Sequence, residues 1–179
     1  MENNIKEIDI QLALHRDFLS NCDICIPNYT PKGWWECDFI HITKSGYMVE
    51  HEIKVSRADF FADAKKQKQL GFANKVVGKH QLLELGSEDG PRQFWFVILE
   101  GLIDVSEVPN FAGLKIVKLV ENGGNPCVDV KVIKKAPFLH KSKADKSLKE
   151  HVLSVCYYRY WNEKVAHEKT RKVANKNAD

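Results

Sequence analysis

Residues 35–55, WECDFIHITKSGYMVEHEIKV, decide how this chain folds. Trp35, Cys37, Phe39 and His41 alternate with Glu36, Asp38, Ile40 and Ile42, the two-residue period of a strand. Lys44-Ser45-Gly46 supplies a turn in which glycine is free to take positive φ. Tyr47 to Val55 alternates again, so the stretch predicts a β-hairpin. On its second arm Tyr47, Val49, Ile53 and Val55 form an apolar face, interrupted by His51, which reads as a core histidine. The even positions set Glu50, Glu52 and Lys54 in a row on the other face. Two carboxylates two positions apart repel, and on a central strand they are also desolvated. Such a row costs stability unless something neutralises it. An edge hairpin with one face in water would avoid that cost. Against it, Asp38 shares its face with Ile40 and Ile42, and a helix signal (Ser56 as N-cap, Asp59 three residues on) follows Lys54 almost directly.

The flanking sequence extends this frame. Residues 5–20 carry Ile5, Ile8, Leu12 and Leu19 near helical period. A short strand is expected at 22–26, then a loop at Pro27, Pro31 and Gly33. Helix formers fill Arg57 to about Phe72. After a turn-rich loop at 86–92, Gln93 to Leu99 is a continuous apolar run, as in a strand buried on both faces. Leu114–Val120 and Val128–Ile133 read as two more strands around the ENGGNP turn. A long helix is expected over about 145–173, with Leu148, Val152, Val155, Tyr158 or Arg159, and Trp161 or Asn162 at core-like spacing. The prediction is one α/β domain over residues 1–179: a mixed sheet flanked by helices with core order αβββαβ at about 5–100, then C-terminal strands and a basic helix at about 110–173.

A length of 179 residues suits a single core, and no apolar run approaches the ~20 residues that span a bilayer. The net charge of +3 conceals an asymmetry: residues 1–133 hold 15 basic and 19 acidic side chains, residues 134–179 hold 12 and 5. A basic tail can hold an anionic polymer, or can be a solvated lysine-rich helix. Five cysteines without a secretory leader imply reduced thiols and a cytoplasmic protein. Cys22 and Cys25 lie on opposite faces of a strand and lack a second pair at zinc-site spacing, so buried structural thiols are expected.

Asp38, Glu52 and Lys54 form the constellation that carries chemistry. Two carboxylates on adjacent strands suit a hard divalent cation, Mg²⁺ or Mn²⁺, with the carbonyl of Ile53 and water completing the shell. Lys54, on the same face as Glu52, is placed to hold an attacking water or to stabilise developing negative charge. Glu50 would reach a second metal, tune Lys54, or serve only as a salt-bridge partner.

At these residues the sequence resembles the PD-(D/E)xK nuclease superfamily. Cys37-Asp38 stands where that superfamily has Pro-Asp, and Glu52-Ile53-Lys54 matches its (D/E)xK element. The longer string EIKVSRADFFADAKKQK, residues 52–68, is similar to the MmcB-like branch of DNA-repair-associated proteins and to related phage-type proteins. The resemblance implies a restriction-endonuclease-like core and Mg²⁺- or Mn²⁺-dependent cleavage of DNA in repair, recombination or a phage. A non-catalytic DNA-binding module on the same fold is the first alternative; an enzyme on another substrate, or an interaction protein whose Glu50, Glu52 and Lys54 row is a buried salt-bridge cluster, is the other. The resemblance also implies an acid on the first helix, Glu7 first, Asp9 and Asp17 as alternatives. Arg57, Lys65, Lys66, Lys79, Lys134, Lys135, Lys141 and Lys143 are the candidate phosphate contacts. Trp34, Trp35 and Trp161 offer stacking surfaces, against the plainer role of core or loop anchors. The expected partner is DNA, with a homodimer open and no membrane.

Overall fold

The computed structural model describes residues 5–70, 75–123 and 125–176. The chain forms two compact units, 1–144 and 145–179. The first is an α/β fold: α1 (Glu7–Phe18), β1 (Cys22–Tyr29), β2 (Cys37–Thr43), β3 (Met48–Lys54), α2 (Arg57–Asp63), β4 (Gln67–Leu70), β5 (Lys75–Gly78), α3 (Lys79–Glu84), β6 (Gln93–Leu99), β7 (Ala112–Asn122) and β8 (Asn125–Lys134). The second unit holds α4 (Lys146–Lys176). Among the described residues no helix is long and apolar enough to cross a membrane.

Six strands make one mixed sheet in the order β1-β2-β3-β6-β7-β8. β3 pairs antiparallel with β2 and parallel with β6, so the strand carrying Glu50 and Glu52 is internal. All seven of its residues are buried. Alternation divides the sheet into two packed faces. Phe39, Ile53, Val97, Val117 and Val128 meet α1 through Ile10, Ala13 and Leu14. The other face carries Glu50, Glu52, Phe94 and Phe96. Phe60 of α2 stacks edge-on to Phe96 with centroids 4.8 Å apart, and Lys79 of α3 lies 5.1 Å from the Phe94 ring centroid.

The hairpin stands as its sequence reads. Gly46 takes φ +84° at the turn, and Ser56 Oγ accepts the Asp59 N–H to cap α2. Four expectations change. The buried stripe of α1 is Ile10, Ala13 and Leu14; Ile8 and Leu12 are exposed. β1 runs past Pro27 to Tyr29, which an edge strand tolerates because its outer N–H needs no ladder partner. Tyr158 and Trp161 of α4 are exposed. Most consequential, α2 ends at Asp63 rather than near Phe72. Its helix-forming continuation instead makes a two-stranded ribbon with β5, pairing Gln67 with Gly78 and Lys68 with Val77. Tertiary contacts override propensity there, because ending the helix turns Asp63 and Lys66 toward the charge row of β3.

Candidate metal and phosphodiester site

The charge row is neutralised from within the chain. The Lys79 ammonium bridges Glu50 Oε1 and Glu52 Oε2, at 2.6 Å each. Lys54 Nζ lies 2.8 Å from Glu52 Oε1, and Lys66 Nζ contacts the same oxygen. Asp63 joins from α2: its Oδ1 is 2.8 Å from Lys66 and 3.4 Å from Lys54, and its Oδ2 is 2.8 Å from His80 Nε2. The Trp34 indole N–H donates to Glu50 Oε2 at 2.8 Å. Lys66 precedes the β4–β5 ribbon and Lys79 follows it. Antiparallel pairing brings the two together, and the Lys79 N–H donates to the Lys66 carbonyl at 2.9 Å. The ribbon therefore delivers both lysines at once.

Asp38 sits at the margin of this cluster. Its Oδ2 accepts the Ile53 N–H at 2.7 Å, so a side chain of β2 holds the backbone near the end of β3. Unlike Glu50, Glu52 and Asp63, it has no ammonium within ion-pair distance among the described residues. Burial and the nearby Glu52 charge raise its pKa to about 7. Burial also opposes ionisation of Glu52, but Lys79, Lys54 and Lys66 outweigh it and hold that carboxyl low. Glu50, fully enclosed, is pushed up by burial despite Lys79. Desolvation opposes the charge on Lys54, but Glu52 and Asp63 outweigh it and raise that ammonium above its ordinary value. Asp38, Glu50, Glu52 and Asp63 thus face three ammonium groups, with half-exposed Asp59 a fifth acid 3.7 Å from Lys54, and Asp38 is the one of them without an ion pair.

The expected residues meet the geometry unevenly. Asp38, Glu52, the Ile53 backbone and Lys54 converge. Glu50 does not tune Lys54; it is a buried partner of Lys79 and Trp34. Glu7 accepts from Gln11 Nε2 at 2.8 Å, and the same amide reaches the Asp38 carbonyl at 3.0 Å, so Glu7 is linked to the strand of Asp38. Asp9 caps its own helix by accepting the Lys6 N–H, and Asp17 lies roughly 12 Å further along α1. As phosphate contacts, four of the basic candidates are corrected. Lys79 is fully buried, and Lys66 is engaged by Glu52 and Asp63. Arg57 forms a two-pronged pair with Glu107, 2.9 and 2.5 Å. Lys134 donates to the Val108 and Pro109 carbonyls. Lys65, Lys135, Lys141 and Lys143 remain exposed. Trp34 is a core anchor.

Three participants escape the sequence pattern. Asp63 and His80 lie in the right segments, but a continuous helix to Phe72 hides their pairing. Gln11 has no sequence signal beyond being a polar residue on the buried side of α1.

The donor set suits a hard cation. Mg²⁺ takes one or two carboxylates and keeps several waters; Asp38 and Glu52 are donors of that type, and both Glu52 oxygens are held by ammonium groups. Among the described residues no group of three or more His, Cys, Asp or Glu side chains is arranged around a common point, so a larger protein cage is not present. Cys22 and Cys25 are half-buried rather than buried, and neither is in a disulfide.

No family model and no curated protein matches the chain. A solved structure, of a protein of unknown function from Silicibacter pomeroyi, is similar with a TM-score of 0.59 and 17% identity over 92% of each chain. At that identity the likeness shows the fold: a mixed α/β sheet with flanking helices.

Proposed function

We propose that the protein is a metal-dependent DNA nuclease with a restriction-endonuclease-like core. One observation carries the reading. Asp38, Glu52 and Lys54 come from two adjacent strands to one cluster at the strand-to-helix junction, where the nearest unbalanced charge is a carboxylate. Asp38, Glu52 and the Ile53 carbonyl would hold Mg²⁺ or Mn²⁺. When bound, the cation supplies an acidified water and screens the phosphodiester charge. Lys54, fixed by Glu52 and Asp63, presents a cation whose position is set before substrate arrives, which is how a developing negative charge is stabilised without reorganisation. Glu7, through Gln11, and Glu50, through Lys79, orient the acids from behind. Lys65, Lys135, Lys141 and Lys143 would meet the phosphate backbone.

A second reading, a DNA-binding module without catalysis, draws on a specific observation too: three ammonium groups already satisfy Glu52. One screen separates the two. Duplex, flap, branched and single-stranded DNA are incubated with Mg²⁺ or Mn²⁺ and the parent protein or Asp38→Asn, a near-isosteric change at a partly exposed site. Cleavage by the parent and its loss in Asp38→Asn support the nuclease. Salt-dependent binding of the same DNAs with no cut on any of them supports the module.

A further inference from the structure

We propose that Lys66 is a displaceable counter-ion of the carboxylate cluster, occupying a Glu52 oxygen that a divalent cation would need. The inference rests on the metal reading above and adds how access to that site is controlled. Three ammonium groups touch Glu52, and burial decides which of them can leave. The side chains of Lys54 and Lys79 are 5% and 0% exposed, whereas that of Lys66 is 33% exposed. Lys79 holds Oε2, the side of Glu52 turned toward Glu50. Lys66 shares Oε1 with Lys54. The Lys66 ammonium is therefore the most exposed of the three cations on Glu52, and it sits on the oxygen that Lys79 does not hold.

The backbone of Lys66 is anchored, its N–H donating to the Asp63 carbonyl at 3.1 Å and its carbonyl accepting from Lys79. Departure needs only rotation of a flexible four-carbon stem into solvent. Asp63 stays compensated after Lys66 leaves, because His80 and Lys54 remain on it. A divalent cation entering beside Glu52 repels Lys66 and replaces its charge. Metal and Lys66 would thus compete for the Glu52 carboxylate.

The test is calorimetric titration of Mn²⁺ alone into parent, Lys66→Met and Lys66→Arg, with thermal melts confirming that each is folded. Lys66→Met should bind Mn²⁺ about tenfold more tightly, within the usual range for coupling between two competing ligands. Lys66→Arg, keeping the charge, should stay within about threefold of the parent. If Lys66→Met does not fold, Lys66→Gln takes its place with the same expectation. Unchanged or weaker binding in the neutral variant overturns the proposal, as does equal tightening in Lys66→Arg. Mn²⁺ binding to none of the proteins overturns it together with the metal reading. Tighter Mn²⁺ binding without DNA cleavage by any protein overturns the nuclease alone.

Discussion

Lys79→Met removes the buried cation from between two buried acids while keeping most of its volume. Lys79 is fully buried, touches Glu50 and Glu52 at 2.6 Å each, and lies over the Phe94 ring. Breaking one buried ion pair costs about 3–5 kcal/mol, mostly from the partner left charged without compensation. Here two acids lose the same partner, but Glu52 retains Lys54 and Lys66, so the penalty concentrates on Glu50. A loss of about 4 kcal/mol corresponds to roughly 8–16 °C in Tm for a chain of this size. Glu50 has a raised pKa from burial, and removing Lys79 raises it further. A carboxyl whose folded pKa exceeds its unfolded value makes the fold hold a proton that the unfolded chain releases. Stability contributed this way falls as pH rises above about 4.5. The deficit of Lys79→Met relative to the parent should therefore be larger at pH 8 than at pH 5, in urea melts with m-values checked for two-state behaviour. Lys79→Met/Glu50→Gln should recover a substantial part of the loss, because the amide can still accept from Trp34 and carries no charge. A deficit under about 1 kcal/mol, one that does not grow with pH, or no recovery in the double variant would refute the reasoning.

Lys54→Ala should abolish DNA cleavage yet melt within about 10 °C of the parent by circular dichroism, because Lys66 and Lys79 still compensate Glu52. Gly90→Ala should destabilise by about 1–3 kcal/mol in urea melts: a Cβ there would come within 2.5 Å of the Trp34 ring, and Trp34 positions Glu50. Acid should weaken the fold through His41 and His51. Burial lowers His51, and lowers His41 to about 3, so the unfolded chain takes protons first and stability is lost as pH falls below about 6.5. At pH 5 His41 contributes about 2 kcal/mol of that loss and His51 adds to it in the same direction, so the His41→Phe/His51→Phe variant should show a flatter pH dependence between 7.5 and 5. Replacing Lys135, Lys141 and Lys143 with alanine should weaken binding to all DNAs alike. The slope of log affinity against log salt should flatten by roughly one unit for each phosphate no longer neutralised.

The hairpin, the buried strand at 93–99, the C-terminal strand pair and the long helix are legible because each has a sustained period or a clear turn. The β4–β5 ribbon is not legible. Residues 65–70 are good helix formers, and the contacts that compete with the helix there, Lys66 with Glu52 and Asp63 and the pairing of β4 with β5, are tertiary. The inward face of α1 is obscure for a related reason. Ile8 and Leu12 fit the helical period as well as Ile10 and Leu14 do, and nothing local distinguishes the stripe that meets Phe39 and Val117. In the candidate site, Asp38, Glu52 and Lys54 stand out because alternation fixes a side chain's face from sequence alone. Lys79 and Asp63 do not stand out, because a crossover of unknown shape carries them there.

That difference changes what the charge asymmetry means. The body of the chain has an excess of acids over bases, but Asp38, Glu50, Glu52 and Asp63 are withdrawn into one cluster with Lys54, Lys66 and Lys79, so part of the count never reaches the surface. The same holds for the basic flank: Lys134 is engaged by the Val108 and Pro109 carbonyls, whereas Lys135, Lys141 and Lys143 remain exposed. A polyanion responds to exposed charge, since buried pairs are neutralised at contact distance and salt screens only what water reaches. Affinity for a polyanion therefore has to be sought in individual exposed lysines and not in the summed charge of the tail. The metal question, conversely, has to be sought in Asp38, the carboxylate of this cluster to which the described residues bring no cation within pairing distance.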